Sequence, residues 1–186
     1  LSNRVCEQIY RDLGAVSRCK APYVSDFSFN RWLVAQNRNR SVLEGLEAVN
    51  DLGQHYTLAE LVQLSTSNPG NRRNELMVRM RGFEEWAEQD VAQWTPFFLT
   101  VTCPSTYHAV HSYGISNNKY QGATPREAQQ YLTQLWAQMR AELARQDIQY
   151  FGFRIAEPHH DGTPHWHLLL FVLDDQKTAL VDTLRD

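Results

Sequence analysis

The sequence is poor in the features that mark secreted, membrane-spanning and zinc-ribbon proteins. Its 186 residues include three cysteines, Cys6, Cys19 and Cys103, and no two of them form a C-x-x-C pair. An odd number of cysteines without that spacing argues against a disulfide framework and against a zinc ribbon. No apolar run approaches the roughly 20 residues that cross a bilayer, and the first residues lack the layout of a signal peptide. We therefore expect free thiols and a soluble protein of the cytoplasm.

The chain also lacks a basic excess. It carries 18 lysines and arginines against 21 aspartates and glutamates, which gives a formal net charge of −3. Proteins that neutralise many phosphates usually show a visible surplus of positive charge, so any nucleic-acid surface must be a local patch. The hydrophobic content of 42% is enough for a core. A chain of this length suits one domain or two small ones.

One stretch carries the clearest chemical signal, namely residues 157–171, which read EPHHDGTPHWHLLLF. His165 and His167 flank Trp166, and side chains two apart on a strand project from the same face. Both imidazoles therefore point one way and the indole points the other way. Apolar residues continue on both faces as far as Phe171, so we expect a central strand that is covered on both sides.

The residues before this strand predict its partner in an antiparallel hairpin. Residues 148–157 also alternate, and the D-G dipeptide at 161–162 lies between two prolines, which is a strong turn signal. The length of the turn decides which side chains face the histidines. The sequence alone leaves two registers open.

An odd-numbered turn centred on residue 162 places Glu157 opposite His167 and His159 opposite His165, with Cβ atoms about 5 Å apart. An even-numbered turn places Glu157 opposite Trp166 instead. In the odd register, two imidazoles and a carboxylate converge, which is the donor set of an open divalent-metal site. The candidate ligands are His165, His167 and Glu157, with His159 as the alternative third ligand. The competing interpretation is a group of ordinary surface histidines, since short motifs match by accident.

The first half of the chain is patterned for helices. Apolar residues at helical spacing predict a short amphipathic helix that ends near Gly14, and a longer one from Asp26 to about Val49 with Gly53 just past its end. We assign no function to the first helix.

Two further helices are predicted from their start signals. Thr57 and Glu60 form a capping box that opens a helix through about Leu64, and Asn68-Pro69 starts another through about Glu88. The pair is compatible with a DNA-reading helix-turn-helix or with a plain helical hairpin.

Around residues 90–96 helical spacing gives way to alternation, so we predict a helical N-terminal domain over residues 1–92 and a second domain over residues 93–186. The second domain begins with a strand over residues 97–102. A long helix follows, opened by a second capping box at Thr124 and Glu127. After the hairpin comes a helix capped by an Asp-Asp pair. This order is the beginning of a ferredoxin-like β-α-β-β-α-β pattern that lacks its last strand, and the predicted fold class is α+β.

The end of the first strand of that domain supplies further candidates. We interpret Thr100 and Thr102 as a buried pair bonded to the backbone. Ser105, Tyr107 and His108 follow at the strand exit and are candidates for contact with DNA. The polar loop after them adds Tyr120, which is suited to stacking on a base of single-stranded DNA.

Several motifs, in one order, carry a resemblance to a known family. Besides residues 157–171 they are FLTVTCPSTYH at 98–108, YQGATPREAQQYL at 120–132, TLAEL at 57–61 and RMRGFEE at 79–85. The chain closely resembles the replication gene A protein family of tailed phages. These are rolling-circle initiators of the HUH endonuclease superfamily, which is named for its histidine-hydrophobic-histidine motif.

The resemblance implies a function and a site. It implies a site-specific single-strand DNA endonuclease, or nickase, in which a tyrosine attacks a phosphate held by a divalent metal. The implied cofactor is Mn²⁺ or Mg²⁺, held by His165, His167 and Glu157. Single-stranded or origin DNA is the implied partner, with a host replication helicase as a further one, in the cytoplasm of a bacterial host cell.

The tyrosine nucleophile is the part of this scheme that the chain does not supply. The family places two tyrosines four residues apart on a helix after the histidine motif. No two of the eight tyrosines here are four apart, and none follows His167. We therefore expect the chain to be cut before its nucleophile. The alternative function is a non-catalytic module that recognises a DNA origin or hairpin and contains a structural histidine cluster.

Overall fold

The structure, a computed structural model, describes residues 2–185. The helices are α1 (Asn3–Asp12), α2 (Asp26–Glu44), α3 (Leu58–Leu64), α4 (Pro69–Gln89), α5 (Pro125–Arg145) and α6 (Lys177–Arg185). The strands are β1 (Glu47–Val49), β2 (His55–Thr57), β3 (Trp94–Thr102), β4 (Tyr150–Pro158) and β5 (Pro164–Leu173). The predicted α+β class is confirmed. None of the helices in the described chain is both long enough and apolar enough to cross a membrane.

Two of the predicted helix starts are confirmed by their hydrogen bonds. The hydroxyl of Thr57 accepts from the backbone N–H of Glu60, and the Glu60 carboxylate accepts from the backbone N–H of Thr57. Thr124 and Glu127 make the same reciprocal pair at the start of α5. Each capping box satisfies N–H groups that the first turn of a helix otherwise leaves without partners.

The predicted helix over residues 26–49 is wrong at its C-terminal end. α2 stops at Glu44, and the residues that follow form an antiparallel hairpin of β1 and β2. In the turn of that hairpin, the Asn50 side chain accepts hydrogen bonds from two backbone N–H groups, and Gly53 has a φ of 75°. An Asx turn followed by a left-handed glycine closes a hairpin. Turn chemistry therefore overrides the helical spacing of the apolar residues.

The larger sheet has the strand order β3-β5-β4, and both pairings are antiparallel. β5 is the central strand, as predicted. Helices α5 and α6 pack against one face of this sheet, and the core lies between the helices and the strands. The buried members of that core are Cys103, Ala128, Leu132, Leu143, Ile148, Trp166, Leu168, Leu170, Val172 and Leu180.

The second face of the sheet does not match the expectation of a strand covered on both sides. At the end that carries the histidines, Phe98 is 70% exposed and Ile155 is 46% exposed. At the other end Phe171 is buried and stacks on Phe151, with ring centroids 5.0 Å apart. The apolar residues of this face therefore pack at one end only, and the histidine end is accessible.

The chain divides into two compact units. One contains residues 2–28 together with residues 87–185, and the other contains residues 29–86. This division differs from the predicted boundary between residues 92 and 93. The first 28 residues belong with the sheet, and a buried arginine on α1 shows why.

Candidate metal centre

The register of β4 against β5 places an acidic side chain beside the histidines. Glu157 lies opposite His165, and Ile155 lies opposite His167. The predicted pairing of Glu157 with His167 and of His159 with His165 is therefore wrong by two residues. The turn has an odd number of residues, as one of the two registers required, so Glu157 still projects from the same face as both histidines.

The turn is centred on residue 161 and not on residue 162, because the last pair of the two strands is Pro158 with Pro164. His159 donates its backbone N–H to the carbonyl of Thr163 at 2.7 Å, and Gly162 donates to the carbonyl of His159 at 2.8 Å. Gly162 has a φ of 79°, which suits glycine. His159 consequently lies in the turn and not in the paired strand.

The face of the sheet that lies opposite α5 and α6 carries the histidines, and we call it the open face. Three side chains converge at its accessible end. The Nε2 atoms of His165 and His167 are 3.0 Å apart, and Nε2 of His167 is 3.6 Å from a carboxylate oxygen of Glu157. One ligand atom from each of the three residues lies within 4.8 Å of the others. We call these three residues the metal cup.

The donor set and the spacing of the cup fit a first-row divalent ion. Two nitrogens that bind one ion at right angles, each at about 2.1 Å, are about 3.0 Å apart. In the structure the two Nε2 atoms are 3.0 Å apart, which equals that value. Two imidazoles and one carboxylate leave further coordination positions for water or for a phosphate oxygen.

Thr100 orients one of the two imidazoles. Its hydroxyl lies 3.0 Å from Nδ1 of His167, on the neighbouring strand β3. A proton on Nδ1 leaves the lone pair on Nε2, which faces the cup. Thr100 and Thr102 are both exposed, so the interpretation of a buried pair bonded to the backbone is wrong. Phe98 supports the same ring from its other side, stacked at 5.4 Å.

The environment of His165 favours its neutral form. Burial, and next the nearby charge of His167, lower the pKa of His165 below its usual value, and Glu157 opposes this in part. Nδ1 of His165 is buried and has no hydrogen-bond partner in the described chain. A neutral imidazole keeps a lone pair available for a metal at neutral pH.

A second histidine cluster adjoins the cup and is built on a buried carboxylate. Asp161 is fully buried, and its carboxylate accepts hydrogen bonds from Nδ1 of His108 at 3.1 Å and from the backbone and hydroxyl of Thr163 at 3.0 Å. Burial would raise the pKa of Asp161, but these bonds outweigh it and lower the pKa to about 2. The His159 ring bridges the clusters, at 5.2 Å from His108 and 4.8 Å from His165.

Arg11 of α1 holds this turn in place, and sequence reasoning missed it. The side chain is 1% exposed, and it donates to the carbonyl of Asp161 at 2.9 Å and to the hydroxyl of Thr163 at 3.1 Å. The spacing of the apolar residues predicted that they, and not the arginine, face inward. In the structure, however, Leu13 is 73% exposed. An arginine within an amphipathic pattern looks like a solvated residue, and only the fold shows that it is buried.

The residues predicted to contact DNA divide into two groups. Ser105 is exposed. Tyr107 packs against Tyr131 at 5.1 Å beside the core, and His108 is engaged with Asp161. The Tyr120 hydroxyl donates to Asp12 or to the carbonyl of residue 123, each at 3.0 Å, and accepts from the side chain of residue 8. Of these four residues, Ser105 alone has an exposed side chain.

The Tyr120 hydroxyl stays protonated at neutral pH. Burial raises the pKa of Tyr120, with a further contribution from Asp12, and the charge of Arg11 opposes it. The side chain of Tyr120 therefore connects the polar loop to α1 through hydrogen bonds of its hydroxyl.

Comparison with known proteins gives one family over the whole chain. The model for the bacteriophage replication gene A protein matches residues 1–186. The chain is 40% identical to the replication protein of Haemophilus phage HP1 over 97% of its own length and 23% of that protein. It is 41% identical to the replication gene A protein of Escherichia phage 186, over 97% of this chain and 26% of that one.

A third relative has a name that states an activity. The probable replication endonuclease from a prophage-like region of Shigella boydii is 35% identical over 96% of this chain and 22% of its own. The chain thus spans about a quarter of the length of the curated relatives it matches. No solved structure matches it.

Proposed function

This chain belongs to the bacteriophage replication gene A protein family, and on that premise we propose that it forms part of a replication endonuclease. The proposed reaction is a site-specific cut in one strand of DNA that starts rolling-circle replication. Relatives named as probable replication endonucleases support an endonuclease, since this chain aligns with them over 96% of its length.

The observation that carries the proposal is the metal cup. Neither packing nor folding requires two imidazoles and a carboxylate to converge at an accessible end of a sheet, with their ligand atoms within 4.8 Å. Perturbed ionisable groups and metal-ligand sets of this kind concentrate at functional sites. The chemistry of the cup is therefore the best guide to what the chain does.

We propose Mn²⁺ or Mg²⁺ as the cofactor. Imidazole nitrogen suits manganese better than magnesium, which prefers oxygen and keeps its waters, and the carboxylate of Glu157 suits both. When bound, such an ion polarises the phosphate and stabilises charge on its nonbridging oxygens. His165 and His167 hold the ion in this scheme, and Thr100 fixes the orientation of His167.

The accessible face beside the cup supports single-stranded DNA as the substrate. Phe98 of β3 stacks on His167 and exposes 70% of its surface, and Ile155 of β4 lies opposite His167 and is 46% exposed. Exposed rings of this kind are platforms on which unpaired bases stack. Origin DNA and a host replication helicase remain the proposed partners of the whole protein.

The proposed nucleophile is a tyrosine that does not belong to this chain. Among the described tyrosines, Tyr107 and Tyr131 pack against the core, and the Tyr120 hydroxyl is bonded within the fold. None of these three is placed to attack a phosphate held at the cup. The chain also lacks two tyrosines four residues apart. We therefore propose that this chain binds the metal and positions the phosphate, and that a tyrosine in a different part of the protein makes the attack.

Calorimetric titration with Mn²⁺ tests the proposal. The wild-type chain should bind one ion, and His165→Ala should abolish the binding, because two ligands are too few to hold the metal. His111→Ala is the matched control, since His111 is exposed and lies outside the cup. In the alternative, a DNA-recognition module with structural histidines, His165→Ala and His111→Ala behave alike. That result would remove the endonuclease proposal.

A further inference from the structure

A cavity of about 440 Å³ lies at the same end of the sheet as the metal cup. Its walls are the 3₁₀ turn Ser105–Tyr107, the loop around residue 122 and the first turns of α5. The volume falls within the range of about 300–1,000 Å³ that is usual for small-molecule sites. Nothing in the proposed metal chemistry uses this cavity.

The polar lining of the cavity consists mainly of carboxamides. Gln130 and Gln134 are one helical turn apart on α5 and so share a face, and Gln121 joins them from the loop. All three residues are exposed, and their side chains make no hydrogen bond within residues 2–185, so they are free to bind a ligand. Tyr107 and Tyr131 add two aromatic rings, with centroids 5.1 Å apart.

The charge of the lining argues against a phosphate as the occupant. No lysine, arginine or histidine contributes to it, and the one ionisable carboxylate is that of Glu127. Hydrogen bonds from the backbone and hydroxyl of Thr124 lower the pKa of Glu127, so it is ionised at neutral pH. A neutral, flat group with donors and acceptors along its edge fits such a site.

We propose that this cavity holds one unstacked adenine base of the single-stranded DNA, an inference that rests on the proposed function. A carboxamide pairs through one donor and one acceptor with N6 and N7 of adenine, whereas guanine is read best by arginine or lysine. The tyrosine rings supply the apolar contact that a base needs once it has left its stack. Gln130 and Gln134 are the residues that select the base.

The cavity is joined by hydrogen bonds to the turn that comes directly before His165 of the metal cup. The hydroxyl of Thr163 lies 3.2 Å from the carbonyl oxygen of Tyr107, which lines the cavity, and 3.0 Å from the carboxylate of Asp161. His108, the next residue after Tyr107, is bonded to the same carboxylate. A base held in the cavity would therefore fix a strand of DNA relative to the cup.

The direct test is titration of the ¹⁵N-labelled chain with dAMP, followed by NMR. The side-chain NH₂ signals of Gln130 and Gln134 should shift in a saturable way, and dTMP should shift them less. Gln138 lies one turn further along α5 and outside the cavity, so its signals should stay in place. Unmoved signals at Gln130 and Gln134, or equal responses to dAMP and dTMP, would overturn the inference.

Substitution sharpens the same test. Gln130→Ala should weaken dAMP binding about tenfold, as expected for the loss of a bidentate base contact. Gln138→Ala should leave it unchanged, and both variants retain a good helix former at the position. A loss of affinity shared by the two variants would count against the base site.

Mn²⁺ binding by the same samples separates this inference from the proposed function. If the carboxamides ignore dAMP while Mn²⁺ binds at the cup, the base site is wrong and the endonuclease proposal stands. If dAMP binds with the expected pattern while Mn²⁺ does not bind, the base site is upheld and the endonuclease proposal fails.

Discussion

The two faces of β5 obey different rules. Toward α5 and α6 the strand presents Trp166, Leu168, Leu170 and Val172, which are at most 3% exposed. Toward the other side its first residues are His165 and His167, which are partly exposed and have polar neighbours on both adjacent strands. One strand thus has a face whose residues are set by packing and a face whose residues are set by chemistry.

In an alternating strand, the face whose polar side chains have no packing role is the one to search for function. Trp166 is fully buried, donates its indole N–H to Gln129 and has the guanidinium of Arg154 4.0 Å above its ring. The one polar atom of that side chain is therefore satisfied by a hydrogen bond within the fold. On the opposite face the Nε2 atoms of the two histidines lie 3.0 Å apart, beside the exposed carboxylate of Glu157.

The largest effect on stability should come from the packed face. Leu168→Ala should lower the free energy of unfolding by about 2–5 kcal/mol, because it leaves a cavity among side chains that cannot fully collapse. Ile155→Ala, on the open face, should cost less than about 1 kcal/mol, since Ile155 is already 46% exposed. Chemical denaturation in the presence of a chelator measures both. Equal losses would mean that the open face is covered as well.

The next effect concerns Asp161, which anchors the turn between the two strands. Its pKa of about 2 lies below the ordinary value of 3.8, so the folded state favours the ionised form. The resulting stability, about 2 kcal/mol, is fully present above pH 4 and is lost as the pH falls through 2. Asp161→Asn should remove this part of the acid dependence. The measurement is the free energy of unfolding of both proteins as a function of pH. Parallel curves between pH 4 and pH 2 would contradict the role of Asp161.

A smaller effect, confined to the chemical face, is expected at Thr100. Thr100→Val keeps the shape of the side chain but removes the hydroxyl that bonds His167, so Mn²⁺ affinity should fall about 10- to 100-fold. The free energy of unfolding should change by less than about 0.5 kcal/mol. Thr102→Val is the matched control, because Thr102 occupies the same face of β3. Equal Mn²⁺ affinities for the two variants would show that Thr100 does not orient the ligand.

The last prediction is that no covalent product forms between this chain and DNA. This chain, mixed with single-stranded DNA and Mn²⁺, should form no covalent adduct that survives denaturation, because no two of its tyrosines are four residues apart and Tyr107, Tyr120 and Tyr131 are packed or bonded within the fold. Denaturing gel electrophoresis of labelled DNA makes the measurement. An adduct would identify one of the eight tyrosines as a nucleophile. It would overturn the proposal that the attacking tyrosine lies in a different part of the protein.

Local signals in the sequence predicted two helix starts and the strand that carries the histidines. Capping boxes at Thr57 and Thr124 placed two helix starts, and the H-x-H spacing placed both imidazoles on one face of a central strand. The sequence left both the parity and the centre of the turn undecided, and the structure shows an odd turn centred on residue 161. A shift of two residues leaves the face unchanged, so pattern alone could not detect it.

What the sequence could not show depends on contacts between distant segments. Arg11 is hydrogen-bonded to the turn about 150 residues later in the chain. Thr100 is hydrogen-bonded to His167 on the neighbouring strand. Neither pair has a signature in spacing or composition. The hairpin after α2 was missed for a different reason, since its Asx turn competes with helical periodicity and wins.

The measurement that tests the central claim most directly is paramagnetic broadening of the histidine ring signals by Mn²⁺. At substoichiometric metal, the imidazole resonances of His165 and His167 should broaden first, while those of His55 and His111, outside the cup, remain sharp. Glu157→Gln should raise the metal concentration that is needed. Uniform broadening of all histidines, or broadening that is strongest away from His165 and His167, would contradict a metal centre on the open face of β5.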